Sequence, residues 1–519
     1  MSTHVTTAPA EHAGRPRSTW SQFWRLVGAE SFKLRTVRRW VIALAAVLLL
    51  SSGFALLLAQ GNKFSRGDLP AVVGPHGLAV QDKFRFMHQP MDGDGTITVH
   101  VAAQHLADER RNVVERDNGE IVIPVLQDRA GAGIMIKASA EPGSAYAAIM
   151  VTPGAGVLMS SNFDDDITGP KVTSPQWLRL ERVGAAITGY ASSDGSNWTK
   201  VATTTVPQLP ATAQVGLFVS SPDEERLEKS LGSTSVGILP TSSTAEFDHL
   251  TVPAAVAGTW ASDDIGRIDL SDQFQEKGLG PRGSTRAENG TFTLTGSGTF
   301  KTSLMPDDPL EGALFSVFFG LMVLIPVAVL FMTSEYKRPL LKSTLAASPN
   351  RRLMMAAKAT VIAGTGFVIG VAAALLCYAI AMPRMRANGF QPPDFEAISL
   401  GQVDVWRAIT GSGVVFAALA VLAMSLGAIM RHTAAAVATT IALIIVPMFV
   451  GTPLPLTAAR WLMYLTPAGG FAVQRIRPPD ATLAEPWAMI GPWQGLAAVT
   501  GYALVALFFA IRLARKRDA

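Results

Sequence analysis

The chain has 519 residues, 49% of them hydrophobic and only 16% charged, with a mean hydropathy of +0.28. Soluble domains average about a quarter charged residues; the high apolar content and single cysteine exclude a disordered chain, a collagen, a coiled coil and a disulfide-stapled secreted module. The net charge of +4 and pI near 9.2 do not mark a nucleic-acid binder, because the basic residues gather beside apolar segments.

Residues 1–18 read as a disordered tail. From Thr19 to Arg39 the pattern predicts an amphipathic helix opened by a Thr19/Gln22 capping-box pair. Trp20, Phe23, Trp24, Val27 and Leu34 recur at helical spacing, with Arg25, Glu30, Lys33, Arg38 and Arg39 elsewhere on the wheel. Such a helix lies in a membrane interface, with Trp20, Trp24, Lys33 and Arg35 as its candidate interfacial residues. The plainer alternative is a basic anchor.

Val41–Ala59 then opens a set of six stretches without Asp, Glu, Lys, Arg or His; the others are Ala313–Met332, Thr360–Met382, Gly411–Met430, Ala434–Gly451 and Gln494–Ile511. Crossing about 30 Å of hydrocarbon takes about 20 helical residues. The fifth and sixth are short and are expected to borrow Thr452–Leu456 and Trp493. No soluble core of this size hides six such segments, so a multi-pass membrane protein is expected. The first stretch exceeds a signal-peptide core and no A-x-A cleavage site follows it, so it reads as an anchor.

Between Gln60 and Glu311 lies a domain's length of chain with short alternating runs separated by Gly, Asp and Pro. Thr96–Val99, Gly133–Lys137, Tyr146–Val151, Trp177–Leu180, Ala186–Tyr190, Trp198–Val201, Val215–Val219 and Glu246–Val252 predict strands of a sandwich or jelly roll over 60–253. A second, shorter β segment and linker is expected over 254–311. This region has no cysteine, since Cys377 falls in the third apolar stretch, and must rely on its own core. The expected fold class is a six-helix all-α membrane domain plus a large inserted all-β extracytoplasmic domain.

Basic residues flank the first span (Arg25, Lys33, Arg35, Arg38, Arg39), the connection between the second and third (Lys337, Arg338, Lys342, Arg351, Arg352, Lys358) and the end of the sixth (Arg512, Arg515, Lys516, Arg517). The positive-inside bias puts these sides and both termini in the cytoplasm, and the β domain outside. Trp20, Trp24, Trp40, Trp406, Trp461, Trp487 and Trp493 lie on or beside span edges, where an amphipathic ring is best solvated.

No G-x-x-x-x-G-K-[ST] occurs, so the chain has no P-loop. Ion-driven transporters need costly intramembrane ionisable groups, and the six stretches have none; energy for any transport would enter from the cytoplasmic face. There, Ser334–Lys358 reads as a helical elbow with a turn at Ser348-Pro349-Asn350, able to dock a partner; a solvated basic loop is the alternative. Glu115 and Glu120 have the E-x-D-x-x-E spacing of jelly-roll glycan hydrolases, but Asn118-Gly119 breaks the strand such a pair needs, so no catalytic residue is assigned. Asp92/Asp94 and Asp164–Asp166 offer oxygen ligands for calcium; turn and surface acids are the default and no metal site is expected. Trp177, Tyr190 and Trp198 are candidate glycan contacts, with core aromatics as the alternative.

Gly28–Trp40 resembles the leading helix of type-2 ABC exporter permeases. So do Ser334-Glu335-Tyr336, Thr344–Arg352 with Ala356-Ala357-Lys358, Gly427–Ala434 and Leu465-Thr466-Pro467, with a departure at Lys337-Arg338-Pro339. The likeness covers 19–59 and 313–515. It implies two six-span subunits, identical or different, in a bacterial plasma membrane, and a separate ATPase carrying ATP and Mg while this chain holds no cofactor. Glu335, Tyr336, Arg351 and Arg352 are then the candidate ATPase-coupling residues. The β region is similar to concanavalin/laminin-G-like sandwiches through Gly133–Val157 and Ser192–Trp198, some of which bind glycans. The expected function is the non-catalytic permease subunit of an ATP-driven exporter; the alternative is a membrane-anchored glycan-binding or sensing protein.

Overall fold

Helix α1 (Thr19–Thr36) gives way at Val37, whose backbone is extended, to α2 (Arg38–Gly61). The computed structural model describes residues 19–66, 70–107, 114–115, 121–122, 125–164, 166–171, 175–230, 233–253, 259–267, 283–336, 350–477 and 489–516. After the β region come α3 (Pro309–Phe315), α4 (Val317–Tyr336), α5 (Arg351–Ala387), α6 (Val403–Met430), α7 (Thr433–Gly451), α8 (Leu456–Tyr464), a 3-10 turn (Pro467–Gln474) and α9 (Pro492–Lys516).

Among the described residues six helical segments are long and apolar enough to cross a membrane: Arg38–Gly61, Pro309–Ser334, Arg351–Ala387, Val403–Met430, Thr433–Gly451 and Pro492–Leu513. They fit a multi-pass membrane protein. The fifth does not borrow Thr452–Leu456. It stops at Gly451, because Pro453 and Pro455 remove two amide donors and restrict the residues before them, and α8 begins afresh at Leu456.

Helix α6 is the centre, with 72% of its apolar window buried against 17% for α2. It meets α5 across small residues: a Cβ on Gly370 would stand 2.8 Å from Phe416 Cβ, and one on Gly413 would stand 2.6 Å from Val371 Cγ2. Without that substitution the backbones approach closely, which is how apolar helices gain contact where lipid supplies no hydrophobic drive.

The β region begins with β1 (Val80–Asp82), β2 (Phe84–Asp92), β3 (Gly95–Leu106), β4 (Val114–Glu115) and β5 (Ile121–Val122). Then follow β6 (Gly131–Lys137), β7 (Tyr146–Thr152), β8 (Gly156–Ser161), β9 (Ile167–Thr168), β10 (Gln176–Val183), β11 (Ala186–Ser192), β12 (Thr199–Thr205) and β13 (Thr212–Ser220). The last are β14 (Glu224–Ser230), β15 (Ser233–Leu239), β16 (Ser242–Thr251), β17 (Ala261–Ile265), β18 (Ser284–Glu288), β19 (Thr291–Ser297) and β20 (Phe300–Thr302).

Two seven-stranded sheets form, ordered β12-β11-β10-β3-β16-β19-β18 and β17-β2-β13-β6-β7-β8-β9. Their facing residues, among them Ile97, Val99, Leu178, Ile134, Ile149 and Leu217, make one core. The protein is thus mixed helical and β. The other face of the second sheet is buried too: its Phe84, Phe86, Tyr146 and Phe218 pack with Phe163 and Phe300 from outside the sheet. That double burial explains why Ala132–Ile136 and Tyr146–Val151 are apolar on both faces and why β6 and β7 are buried at every position.

The strands of 254–311 do not form a second unit. Strand β17 pairs with β2, β19 pairs with β16 and β18, and β20 pairs with β1, so the described strands of this stretch join those that precede it.

The chain enters and leaves the sheets over one collar, the loop between α5 and α6. Arg66 Nε donates to Asp394 Oδ1 at 2.7 Å, Ala79 N to Pro393 O at 2.8 Å and Met305 N to Asp394 O at 3.0 Å. Asn388 Nδ2, at the end of α5, donates to Ala59 O (2.7 Å) and Asn62 O (3.0 Å) at the end of α2. Helices α2 and α5 therefore run side by side in the same direction. At 1.5 Å per residue α2 is about 36 Å long, which sets α1 and the sheets at opposite ends of it.

Candidate functional site

At the α1 end, the buried face of α1 is not the tryptophan face. Trp20 and Trp24 are 68% and 50% exposed and cluster with Phe23, their centroids 5.5 Å apart. The buried residues of α1 are Glu30 and Leu34. Glu30 Oε1 accepts from Lys33 Nζ at 3.0 Å, and Glu30 Oε2 lies 2.9 Å from Lys358 Nζ on α5. Lys358 is fully buried, its ammonium 4.9 Å from the Phe331 ring centroid. A buried charge is tolerated only when paired, so Glu30 and Lys358 fasten α1 to α5. The residues at 23, 27, 30 and 34 share one helical face, so a charge at 30 falls where a buried partner is required, a signal carried by the spacing itself.

Arg35 is exposed, and Trp40, grouped with the edge tryptophans, is buried, its ring 6.5 Å from Phe331. The packing of α2 on α4 covers it. Glu335 and Tyr336 end α4; their side chains and residues 337–349 of the expected elbow lie outside the described residues. Arg351 and Arg352 stand in the first turn of α5, capped by Asn350, whose Oδ1 accepts from Leu353 N at 3.3 Å. Cations at a helix N-terminus oppose its dipole. Arg352 lines an open cleft of about 980 Å³ with Asn350, Leu353, Ala356, Phe508 and Arg512.

On the β region, Trp177, Tyr190 and Trp198 come together on the outer face of the first sheet, not in the core. Trp177 and Arg179 alternate with buried Leu178 and Leu180 on β10, and Tyr190 on β11 faces Arg179 in register. The Arg179 guanidinium carbon sits 3.8 Å from the Trp198 ring centroid. Tyr190 Oη donates to Glu181 Oε2 at 3.2 Å, and local desolvation together with that carboxylate raises its phenol above the ordinary value.

The loop carrying Trp198 is held by Asp194. Its Oδ1 accepts from Asn197 N (2.7 Å) and Ser196 N (2.8 Å), its Oδ2 from Asn197 Nδ2, and these donors hold the carboxyl far below the usual range. Gly195 has φ +73° and a Cβ there would stand 2.8 Å from Trp177 Cε2, so the turn demands glycine twice over.

The acids that offered oxygen ligands are engaged in hydrogen bonds and ion pairs within the β region. Asp92 accepts from Thr212 Oγ1 (2.5 Å), Asp94 from Gly184 N (2.7 Å), and Asp166 pairs with Arg129. Asp165 lies outside the described residues, as does Glu120; Glu115 sits in β4 opposite Ile121. Among the described residues the group able to hold a metal is instead His100, Asp248 and His249. Asp248 Oδ1 lies 2.6 Å from His100 Nδ1 and 2.9 Å from His249 Nδ1, and the Trp177 ring centroid stands 4.9 Å and 5.2 Å from the two imidazoles. Burial would raise the Asp248 carboxyl, but the hydrogen bonds from His249 and His100 outweigh it and hold the group below its ordinary value. His100 on β3 and the adjacent Asp248 and His249 on β16 are far apart in sequence and form no linear motif.

No protein-family model and no curated protein matches the chain. Among solved structures, scytalido-glutamic peptidase with a transition-state analog inhibitor is 7% identical, covering 42% of this chain and 98% of its own, with a TM-score of 0.24. SCP-B, a member of the Eqolisin family of peptidases, gives 7%, 42%, 98% and 0.23. A functionally unknown protein from Saccharomyces cerevisiae gives 13%, 33%, 74% and 0.17. Likeness this slight assigns neither a family nor an activity.

Proposed function

We propose that the chain is the permease subunit of an ATP-driven exporter similar to the type-2 ABC class, paired with a second permease chain and a separate ATPase. The observation that carries this reading is the buried Glu30–Lys358 pair. It fastens the helix before the first span to the start of α5, next to the 334–358 connection expected to meet the ATPase. A push on that connection would then reach α2 and α5 together. Arg351 and Arg352, at a helix end whose dipole repels them, are suited to an acidic docking surface. In this reading both termini are cytoplasmic, the sandwich is extracytoplasmic, and ATP and Mg belong to the partner; the sheets standing about 36 Å of helix away from α1 supports that arrangement.

The test is co-purification and reconstitution with an ATPase subunit. Substrate-stimulated ATP hydrolysis should fall in Arg351→Glu/Arg352→Glu and in Glu335→Ala while the complex still assembles. Unchanged stimulation, or no ATPase that binds, overturns the assignment.

A second reading is favoured by the outer-face grouping of Trp177, Tyr190 and Trp198: a tethered glycan-binding sandwich. Retention of the full-length protein on cell-wall glycan, lost in Trp198→Ala, would support it.

A further inference from the structure

Asp248 and His249 are consecutive in β16, and consecutive strand residues point to opposite faces of a sheet. These two do not. The register of β16 against β3 shifts between Asp248 and Thr251, and His249 takes φ +50°. A bulge of this kind re-aims a side chain, and here it turns the His249 ring onto the outer face beside Asp248 and His100. A left-handed conformation at a residue with a Cβ is sparsely populated and persists where the surroundings impose it.

The result is two imidazoles and one carboxylate with a ligand atom of each within 4.8 Å of the others. His100 and Asp248 are partly buried and His249 is exposed, so the group is walled on one side by Trp177 and open to solvent on the other. As hydrogen bonds alone the arrangement is economical for Asp248 and wasteful for the backbone: one oxygen, Oδ1, meets both Nδ1 atoms, and a strained residue is spent on the second.

We propose that His100, Asp248 and His249 bind a divalent first-row cation of the Zn²⁺ class, with a fourth position left to water or an anionic ligand. Two nitrogen donors disfavour Ca²⁺ and Mg²⁺, which take oxygen ligands, while two imidazoles and a carboxylate with one open position suit Zn²⁺. The proposal is independent of whether the chain transports anything.

The test uses tag-free full-length protein in detergent, stripped with chelator and titrated with Zn²⁺ alone. One Zn²⁺ per chain should bind, at least tenfold more weakly in His249→Asn and in His100→Ala. Asparagine tolerates the left-handed backbone, so the first variant keeps the bulge. Co²⁺ titration should give a visible absorption spectrum of a nitrogen- and oxygen-ligated ion in the wild type and not in His249→Asn. Absence of stoichiometric binding, or binding that His249→Asn and His100→Ala leave unchanged in folded protein, overturns the proposal.

Discussion

Glu30 on α1 and Lys358 on α5 meet at 2.9 Å with their side chains 4% and 0% exposed. Lys33, 46% exposed, completes a triad in which one carboxylate serves two ammonium groups. Glu30→Ala should destabilise the helical part by about 3–5 kcal/mol, since it strands a buried cation. The double variant Glu30→Gln/Lys358→Met should recover much of that loss. Thermal unfolding in detergent, followed by helical circular dichroism, compares the two; equal losses would show that charge pairing is not what holds α1.

A second buried pair lies under the second sheet. Lys137 Nζ donates to Asp82 Oδ2 at 2.8 Å and to Ser144 O at 2.9 Å, with both charged side chains fully buried. Burial pushes the Lys137 amine down although Asp82 opposes it. Asp82→Ala should cost about 3–5 kcal/mol and Lys137→Met less, because the latter leaves a carboxylate that still accepts from Gly143 N. Chemical denaturation of the sandwich signal checks the order of the two.

Asp194 gives a pH dependence with a definite sign. Its folded value is depressed below the ordinary 3.8 by the donors of Asn197, Ser196 and Ser192. A depressed carboxyl contributes stability that is fully present above the unfolded value and lost as pH falls through the folded one. The 192–198 loop should therefore hold at neutral pH and loosen only in acid below about pH 4. Fluorescence of Trp177 and Trp198 in Asp194→Asn should show the loosened loop already at neutral pH; a spectrum identical to wild type would refute it.

The collar depends on Asp394, which accepts from Arg66 while its backbone accepts from Met305. Arg66→Ala should cost about 1–3 kcal/mol as the mostly buried carboxylate loses its charged donor. Limited proteolysis near residue 66 should accelerate while cleavage within the sheets does not; uniform acceleration would mean that the whole fold was weakened.

How much was legible beforehand varied with the range of the interaction. The six apolar helices were readable because lipid demands about 20 uncharged residues whatever their neighbours are. Strand positions were readable from alternation and turn residues, but the membership of β17–β20 was not, since pairing joins residues remote in sequence. Trp177, Tyr190 and Trp198 were identifiable as aromatics, yet only the register of β10 on β11 put Trp177 and Tyr190 on the outer face beside Arg179, on which Trp198 stacks.

From composition and spacing alone the chain is committed to an apolar helical part and a β part, because those choices are made by local periodicity and by the cost of unpaired backbone in lipid. Tertiary structure alone decided that Glu30 finds Lys358 and that a bulge brings His249 onto the face of His100 and Asp248. Charges and ligands act over a few ångströms of space, and the chain brings such groups together only once helices and sheets have packed.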